Sequence, residues 1–332
     1  MSKPKVWVSR PLFADIVARL EPYFEVHAET DERAYSAIEL RERLADVDAA
    51  IVGLGDRIDS EVIAAAKHLK IVANTGVGYN NLDLDALTAA GIAASNTPDV
   101  LTESVADFAW ALMLGAARRT GASERWLRAG QWKTSRFDGW LGADVHGSTL
   151  GILGMGRIGQ AIARRASGFR TKVIYHNRSR LPADIERECG ANYVDKDTLL
   201  ARSDHLILVL PFTAANRHAI GEPELARMKK TAVLVNIARG GIVDDAALAR
   251  ALAAGGIAAA ALDVYEGEPV VNPALLALDN VLLTPHIASA SIDTRRAMAM
   301  LAIDNVLAVF GHGPHADHPP TLLNPGVLVS AG

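Results

Sequence analysis

Short apolar runs alternate with segments of helical periodicity along roughly the first hundred residues. The runs KVWV, FEVH, AAIV, KIVAN and IAAS favour β-strands. Between them the spacing of apolar positions predicts helices over 12–20, 36–45, 61–69 and 83–90. Ser36 and Glu39 form a capping-box pattern, and Gly91 follows the last of these helices. This alternation predicts a parallel sheet with crossover helices.

The rest of the chain repeats the alternation after an interruption. A long helix is predicted over 101–119, followed by a loop-like segment with spaced tryptophans and glycines that extends to Gly142. A second strand–helix series begins at TLGILG and ends at VLLTPH, and one more helix is predicted over 291–310. The pattern therefore predicts an α/β protein with two doubly wound parallel sheets.

Composition agrees with this architecture. The 332 residues suffice for two hydrophobic cores, and a chain that is 50% apolar and 22% charged is typical of a globular protein. A net charge of -4 without a basic run argues against nucleic acid or an anionic membrane as partner. The start lacks the apolar core of a signal peptide, and the longest apolar run is too short to cross a bilayer. We therefore expect a cytoplasmic protein.

The single cysteine and the histidines of the C-terminal tail do not indicate a disulfide or a metal site. Cys189 is the single cysteine, so it forms no internal disulfide, which fits a reducing compartment. His312, His315 and His318 lie in a proline-broken tail whose spacing does not favour metal ligation. We expect no metal site.

The first chemical motif is GILGMGRIGQAIARR. Gly154, Gly156 and Gly159 supply G-x-G-x-x-G between an apolar strand and a helix, and the strand KVIYH follows. In that context the glycines permit a tight turn, close approach of a pyrophosphate and close helix–strand packing. A plain glycine turn is the alternative. The motif predicts a dinucleotide site at the helix N-terminus.

The segment YHNRSR, which ends the next strand, bears on the choice of dinucleotide. NAD-binding proteins place an acid about 20 residues past the glycines, and that place falls near Asn177, with no carboxylate from His176 to Arg180. Arg178 and Arg180 flank Ser179 and offer charge-assisted hydrogen bonds to a 2′-phosphate. The alternative is that both arginines are solvated surface charges. The segment predicts NADPH as cofactor.

Further stretches resemble a known family. VNIARGGIVDDAALARAL, AALDVYEGEP and NVLLTPHIASAS, with NTPDVLTESVADFAWALML and the glycine motif, closely resemble the D-isomer-specific 2-hydroxyacid dehydrogenases over nearly the whole chain. GVGYNN, DVLTESVAD and YHNRSR are most like bacterial glyoxylate/hydroxypyruvate reductases and 2-ketogluconate reductases. The resemblance implies a flavodoxin-like substrate-binding domain at 1–99 and 288–332. A Rossmann coenzyme domain at 100–287 is inserted into it.

The resemblance also implies a catalytic set, and elementary chemistry agrees with it. Reduction of a 2-oxo acid needs a hydride at C2, a proton for the carbonyl oxygen and a cation for the carboxylate. The family's catalytic residues fall on Arg239, Glu268 and His286. An imidazole titrates near neutral pH and suits proton transfer, a carboxylate orients it, and a guanidinium clamps the substrate. Outside this context each residue would be an ordinary surface or structural group.

The remaining site residues come from the same resemblance, although Asp263 and the loop at Val77 also fit ordinary turns. Asn216 stands where the family usually has threonine, which affects only a minor loop contact. The expected cofactor-binding residues are Thr102, Gly154, Gly156, Arg157, Ile158, Gly159, Asn177, Arg178, Ser179, Arg180, Pro211, Ala238 and Asp263, and the expected substrate-binding residues are Val77, Gly78, Arg239 and His286.

Several alternatives stay open at this point. Phosphoglycerate dehydrogenase is the second choice, although the chain ends soon after His286 and leaves little room for regulatory domains. Formate and phosphite oxidation fit the fold but suit the NADP loop less well. Relatives of this fold also act as NAD(H)-sensing corepressors. The resemblance implies dimerisation through the region of 127–145, so we expect a homodimer. For Trp140, plain core packing and contact with the partner's substrate site both stay open.

Overall fold

A computed structural model describes residues 2–329 and divides the chain into two compact units. The first unit combines the described residues up to Leu101 with those from Ser291 onward. The second runs from Thr102 to Ala290. Each unit contains one sheet whose strands all pair in parallel, so the predicted fold class is confirmed.

Between residues 2 and 329, twelve strands form the two sheets. They are β1 Lys5–Val8, β2 Glu25–Ala28, β3 Ala49–Val52, β4 Ile71–Asn74, β5 Ala93–Ser95, β6 Thr149–Leu153, β7 Lys172–His176, β8 Ala191–Tyr193, β9 His205–Leu208, β10 Val233–Asn236, β11 Ala259–Leu262 and β12 Val281–Leu283.

Fourteen α-helices connect and cover the strands within the described residues. They are α1 Ala14–Val17, α2 Ala37–Leu44, α3 Ser60–Ala65, α4 Leu84–Ala89, α5 Thr102–Ala117, α6 Thr120–Arg128, α7 Arg157–Arg165, α8 Ala183–Cys189, α9 Lys196–Arg202, α10 Glu222–Arg227, α11 Asp245–Ala253, α12 Pro273–Leu276, α13 Ile292–Val309 and α14 Gly326–Val329.

Strand order identifies the two topologies. The first unit has the order β2-β1-β3-β4-β5, which is the flavodoxin-like arrangement. The second has the order β12-β11-β10-β9-β6-β7-β8, which is the dinucleotide-binding order extended by one strand. In such sheets ligands bind beyond the carboxyl ends of the strands. Those ends are therefore where functional side chains are expected in each unit.

The cores explain the continuous apolar runs in the sequence. All four residues of β3, β4, β9, β10 and β11 are buried. Helices cover both faces of a parallel sheet, so a central strand has no polar side. In the first unit, Ile303 and Val306 of α13 belong to the cluster on one face, and Leu40 and Leu44 of α2 belong to the cluster on the other.

Helix starts follow local sequence signals. The predicted capping box is present, because Ser36 Oγ accepts the backbone N–H of Glu39 and the Glu39 carboxylate accepts that of Ser36. Gly91 follows α4 with a φ of +70°, a conformation that glycine adopts without strain. Ser291 caps α13 in the same way that Ser36 caps α2.

Helix α6 was not predicted. Residues 120–128 form α6, whereas the sequence pattern indicates a loop-like segment that includes Leu127. Beyond α6 the chain leaves Trp132 and Phe137 largely exposed. Trp140 is half-buried and packs edge-to-face against Trp126 at 5.5 Å between ring centroids.

The structure also bears on metal and membrane binding. Within residues 2–329, no three His, Cys, Asp or Glu side chains are arranged to hold a metal ion. His312 of the tail stacks on Tyr23, with ring centroids 4.2 Å apart. Cys189 is buried, and burial raises the pKa of its thiol. In the described part of the chain no helix has both the length and the apolar character needed to span a bilayer.

Candidate active site

The three motif glycines fill the roles that a dinucleotide requires. Gly154 follows β6 with a φ of +102°, and a Cβ there would lie 2.8 Å from the carbonyl group of Val209. A Cβ at Gly159 would lie 2.4 Å from the oxygen of Gly154, so only glycine allows this helix–strand packing. Gly156 caps α7, and a Cβ there would meet no atom within 4 Å. That open side is where a pyrophosphate fits.

Residues predicted around this loop lie at the same sheet edge. Arg157 and Ile158 begin α7, whose first backbone N–H groups point out of the helix. Asn177 follows β7, and its Oδ1 accepts the backbone N–H of Met155 at 2.7 Å. This contact links the end of β7 to the glycine loop. An amide therefore occupies the place where NAD-binding proteins carry an acid.

The three residues after Asn177 differ in their contacts. Arg178 and Ser179 are exposed. Arg180 donates to the carboxylate of Glu186 at 2.9 Å and 2.7 Å. Sequence reasoning gave the two arginines the same role and did not identify Glu186, which resembles a solvated charge on a helix.

Three adjacent strands bring the predicted catalytic residues to one edge. Arg239 follows β10, Glu268 follows β11 and His286 follows β12, and these strands are neighbours in the sheet. The Nδ1 atom of His286 lies 2.8 Å from Oε2 of Glu268. The other oxygen of Glu268 accepts the backbone N–H of Tyr265 at 2.9 Å. Glu268 is thus fixed at both oxygens, and one of them orients the imidazole.

The charges of this cluster are interdependent. Burial alone would raise the pKa of Glu268, but the hydrogen bond and charge of His286, the Tyr265 amide and Arg239 together hold that pKa below its usual range. Glu268 is therefore ionised near neutral pH and accepts the Nδ1 proton, so that Nδ1 rather than Nε2 makes the contact with the carboxylate. Burial lowers the pKa of Arg239 while Glu268 opposes that change, and the guanidinium stays protonated.

A buried aspartate holds the turn that carries His286. Asp263 is fully buried at the end of β11. Its Oδ1 accepts Thr284 Oγ1 at 2.7 Å and the backbone N–H of Ile287 at 2.8 Å, and its Oδ2 accepts that of Ala288 at 2.8 Å. His286 itself has a φ of +54°, which is unusual for a residue with a side chain. Asp263 therefore stabilises a strained turn from both sides of the histidine.

The other predicted cofactor residues of the second unit also follow strand ends or begin a helix. Ala238 lies two residues after β10 and accepts Nη1 of Arg239 at 2.8 Å through its carbonyl oxygen. Pro211 follows β9, and its carbonyl accepts Nδ2 of Asn216 at 2.7 Å. The asparagine that departs from the family pattern thus stabilises the Pro211 loop. Thr102 is the first residue of α5.

In the first unit, the loop after β4 has its carbonyl groups turned inward. Asn74 Nδ2 donates to the oxygen of Gly78 at 2.9 Å, and Asn96 Nδ2 donates to that of Val77 at 2.8 Å. The backbone N–H of Thr97 donates to Gly76 at 3.0 Å. In the chain from 2 to 329, no protein group accepts from the amides of Val77 and Gly78. Two adjacent free N–H groups form an anion-binding concavity.

The asparagines that shape this loop were not predicted. Asn74 and Asn96 each lie at the end of a strand, where an amide also fits an ordinary turn. Asn81 is also buried, and its Nδ2 donates to Asn74 Oδ1 at 3.2 Å. A cluster of asparagines flanking a Gly-x-Gly segment is the signal that was available in NTGVGYNN and SNTPD.

Comparison with known proteins agrees with this geometry. The family model described as D-isomer specific 2-hydroxyacid dehydrogenase, NAD binding domain, matches residues 110–288. A protein named glyoxylate reductase from Thermococcus onnurineus (strain NA1) is 47% identical over 331 residues, which cover 98% of this chain and 97% of that protein.

Solved structures give the same result. The NADPH-dependent glyoxylate/hydroxypyruvate reductase from Sinorhizobium meliloti, in complex with NADP and malonate, is 38% identical with a TM-score of 0.85 and 98% coverage of both chains. A glyoxylate reductase from Paecilomyes thermophila is 37% identical with a TM-score of 0.84, covering 97% of this chain and 99% of that chain.

The chain therefore belongs to the D-isomer specific 2-hydroxyacid dehydrogenase family, and the family assignment made from its motifs is confirmed. The matched NAD-binding domain lies within the second unit, which also carries the glycine motif and the His286–Glu268 pair.

Proposed function

We propose that this protein reduces a small 2-oxo acid, namely glyoxylate, hydroxypyruvate or 2-ketogluconate, to the D-2-hydroxy acid with NADPH. The observation that carries the proposal is the 2.8 Å contact between His286 and Glu268 at the sheet edge that holds the glycine loop. The names of the Thermococcus and Sinorhizobium relatives support the substrate class.

His286 is the general acid. Glu268 holds the proton of Nδ1, so the imidazolium transfers the proton of Nε2 to the carbonyl oxygen of the substrate. The carboxylate of Glu268 stabilises the imidazolium and fixes its orientation. When bound, the nicotinamide supplies the hydride that C2 of the substrate accepts. In the reverse direction the neutral imidazole takes the hydroxyl proton back.

Arg239 is the electrostatic partner of the substrate. Its partly buried guanidinium follows β10, beside the strand that leads to Glu268. A planar cation with several donors binds a carboxylate and stabilises the negative charge that develops on the carbonyl oxygen. Burial strengthens this interaction because water screens it less.

The loop after β4 in the first unit is a candidate site for a carboxylate. The Val77 amide shares a peptide with the Gly76 carbonyl, which accepts from Asn74 Nδ2 at 3.4 Å. The Gly78 amide shares one with the Val77 carbonyl, which accepts from Asn96 Nδ2 at 2.8 Å, so the loop need not rearrange to accept an anion. We therefore propose that this loop of the first unit binds a carboxylate, and we assign cofactor binding to the second unit.

NADPH is preferred over NADH for two reasons. No carboxylate is present from His176 to Arg180 to accept the ribose hydroxyl groups or to repel a 2′-phosphate. An exposed guanidinium, that of Arg178, lies one residue beyond Asn177, whose side chain contacts the glycine loop. A cation at this place favours the phosphorylated dinucleotide.

Steady-state assays with glyoxylate, hydroxypyruvate, 2-ketogluconate and 3-phosphohydroxypyruvate test the proposal, each with NADPH and with NADH. We expect turnover of at least one of the first three, with kcat/KM at least about tenfold higher for NADPH. Preference for the phosphorylated acid would favour a phosphoglycerate dehydrogenase. Binding of dinucleotide without turnover of any acid would favour an NAD(H)-sensing protein.

A further inference from the structure

An ion pair between Arg180, whose side chain is 65% exposed, and the buried Glu186 links the loop after β7 to helix α8. Arg180 donates from Nε to Oε1 of Glu186 at 2.9 Å and from Nη2 to Oε2 at 2.7 Å. Two parallel N–H···O bonds are the most specific arrangement between a guanidinium and a carboxylate. Glu186 is only 8% exposed, so its charge is matched mainly by Arg180.

Tyr175 completes this cluster beneath the loop. Its fully buried hydroxyl donates to Oε1 of Glu186 at 2.7 Å and accepts the backbone N–H of Leu181 at 2.8 Å. Burial and the bond to Glu186 raise the pKa of Tyr175 to about 12, so the hydroxyl keeps its proton. The bonds from Arg180 and Tyr175 hold the pKa of Glu186 below its usual range. The carboxylate is therefore charged near neutral pH.

Arg178 has a different environment. It is exposed, and its guanidinium takes part in no ion pair within residues 2–329. The backbone is fixed on either side of it, because Asn177 Oδ1 accepts the N–H of Met155 and the N–H of Leu181 donates to Tyr175. The segment between these two anchors presents Arg178 and Ser179.

We propose that Glu186 withdraws Arg180 from phosphate recognition, so that Arg178 alone is the cation that selects NADPH over NADH. The inference rests on the function proposed above, since it concerns the same cofactor. A guanidinium whose charge is already matched by a carboxylate adds little to the field at a second anion. Arg180 is then a positioning residue that holds the turn together with Glu186 and Tyr175.

Calorimetric binding to three proteins separates the two arginines. The proteins are the wild type, Arg178→Ala, and the double variant Arg180→Gln/Glu186→Gln, which removes the ion pair without changing net charge. Arg187→Ala is the control, because it removes an exposed arginine of α8. The ligands are NADPH, NADH, adenosine 2′,5′-bisphosphate and AMP, so that the 2′-phosphate is tested without the nicotinamide.

We expect Arg178→Ala to raise the Kd of NADPH about 10- to 100-fold and to change that of NADH less than about twofold. The Kd of adenosine 2′,5′-bisphosphate should rise as that of NADPH does, and the Kd of AMP should stay as constant as that of NADH. The double variant should keep the NADPH/NADH ratio within about threefold of the wild type, because the charge at the phosphate is unchanged. Arg187→Ala should bind both dinucleotides like the wild type.

Either of two results overturns the inference. One is that Arg178→Ala still prefers NADPH over NADH. Because Arg178 is exposed, this variant gives a result even if the double variant does not fold. The other is a double variant that still binds NADH but no longer prefers NADPH. That result would assign selection to Arg180 and would leave the proposed NADPH preference of the wild type intact. Equal binding of NADPH and NADH by the wild type overturns the cofactor preference as well.

Discussion

Glu268 and His286 form a 2.8 Å hydrogen bond although they follow different strands of the sheet. The carboxylate that orients the imidazole is itself held by the backbone N–H of Tyr265. The pair is therefore assembled before any substrate binds, and a group positioned in advance loses little entropy when the reaction occurs.

Glu268→Gln tests this pair. The amide keeps the shape but loses the charge, so we expect kcat to fall roughly 10- to 100-fold, less than on removal of the imidazole. The pKa of Glu268 lies below its usual range in the folded protein, so its contribution to stability is present above the unfolded pKa and is lost as pH falls through the folded pKa.

The melting temperature checks the stability part of that prediction. The difference between wild type and Glu268→Gln should be largest near pH 7 and should shrink below about pH 4. A difference that stays constant through this range would mean that the charge of Glu268 does not contribute to stability.

Asp263→Asn should weaken the turn around His286. An amide nitrogen cannot accept a hydrogen bond, so at least one of the three donors from Thr284, Ile287 and Ala288 loses its partner. We expect kcat to fall about tenfold or more, because a small misplacement of the acid slows proton transfer. Asp279→Asn, at an exposed position, is the control. Unchanged kcat in Asp263→Asn would show that the turn does not depend on the aspartate.

Much of the fold was predictable because strands and helices follow local rules. Buried strands such as β3 appear in the sequence as continuous apolar runs, and the capping-box residues Ser36 and Glu39 predict the start of α2. Helix α6 was missed for a physical reason. Gly121 at its second position disfavours a helix, and the spaced tryptophans and glycines that follow favour a loop.

In the candidate site, only the residues that lie within sequence motifs could be predicted. Arg239, Glu268 and His286 stand in recognisable stretches, whereas Glu186 acts through a contact six residues from Arg180 that no short pattern reveals. The positive φ of His286 is likewise set by the distant Asp263. Long-range hydrogen bonds of this kind depend on strand order, which sequence periodicity does not specify.

Asn96→Ala tests the loop of the first unit. Loss of the bond to the Val77 oxygen frees that peptide to rotate, so the Gly78 N–H is no longer held in place to donate to an anion. We expect KM for the 2-oxo acid to rise about 3- to 10-fold with the Kd of NADPH unchanged. Asn192→Ala, on the exposed side of β8, should leave both values unchanged. A normal KM in Asn96→Ala would argue against the loop as a substrate contact.

We also predict a homodimer through the segment of residues 127–145. Trp132 is 59% exposed and Phe137 is fully exposed, and large apolar side chains of this kind usually have a cover. Light scattering at micromolar concentration should give twice the chain mass, and Trp132→Ser/Phe137→Ser should shift the protein toward monomer. Ile38→Ser/Ile292→Ser removes exposed apolar groups elsewhere and should stay dimeric. A wild-type monomer would contradict the prediction.

In the proposed mechanism His286 donates the proton when the 2-oxo acid is reduced, and single-turnover oxidation of bound NADPH by glyoxylate measures this step without product release. We predict that His286→Ala lowers the rate of this step at least about 100-fold, because general acid catalysis contributes 10²- to 10⁴-fold. The Kd of NADPH should change less than about twofold in the same variant. A near-normal rate in His286→Ala with NADPH bound would contradict the claim and remove His286 from the mechanism.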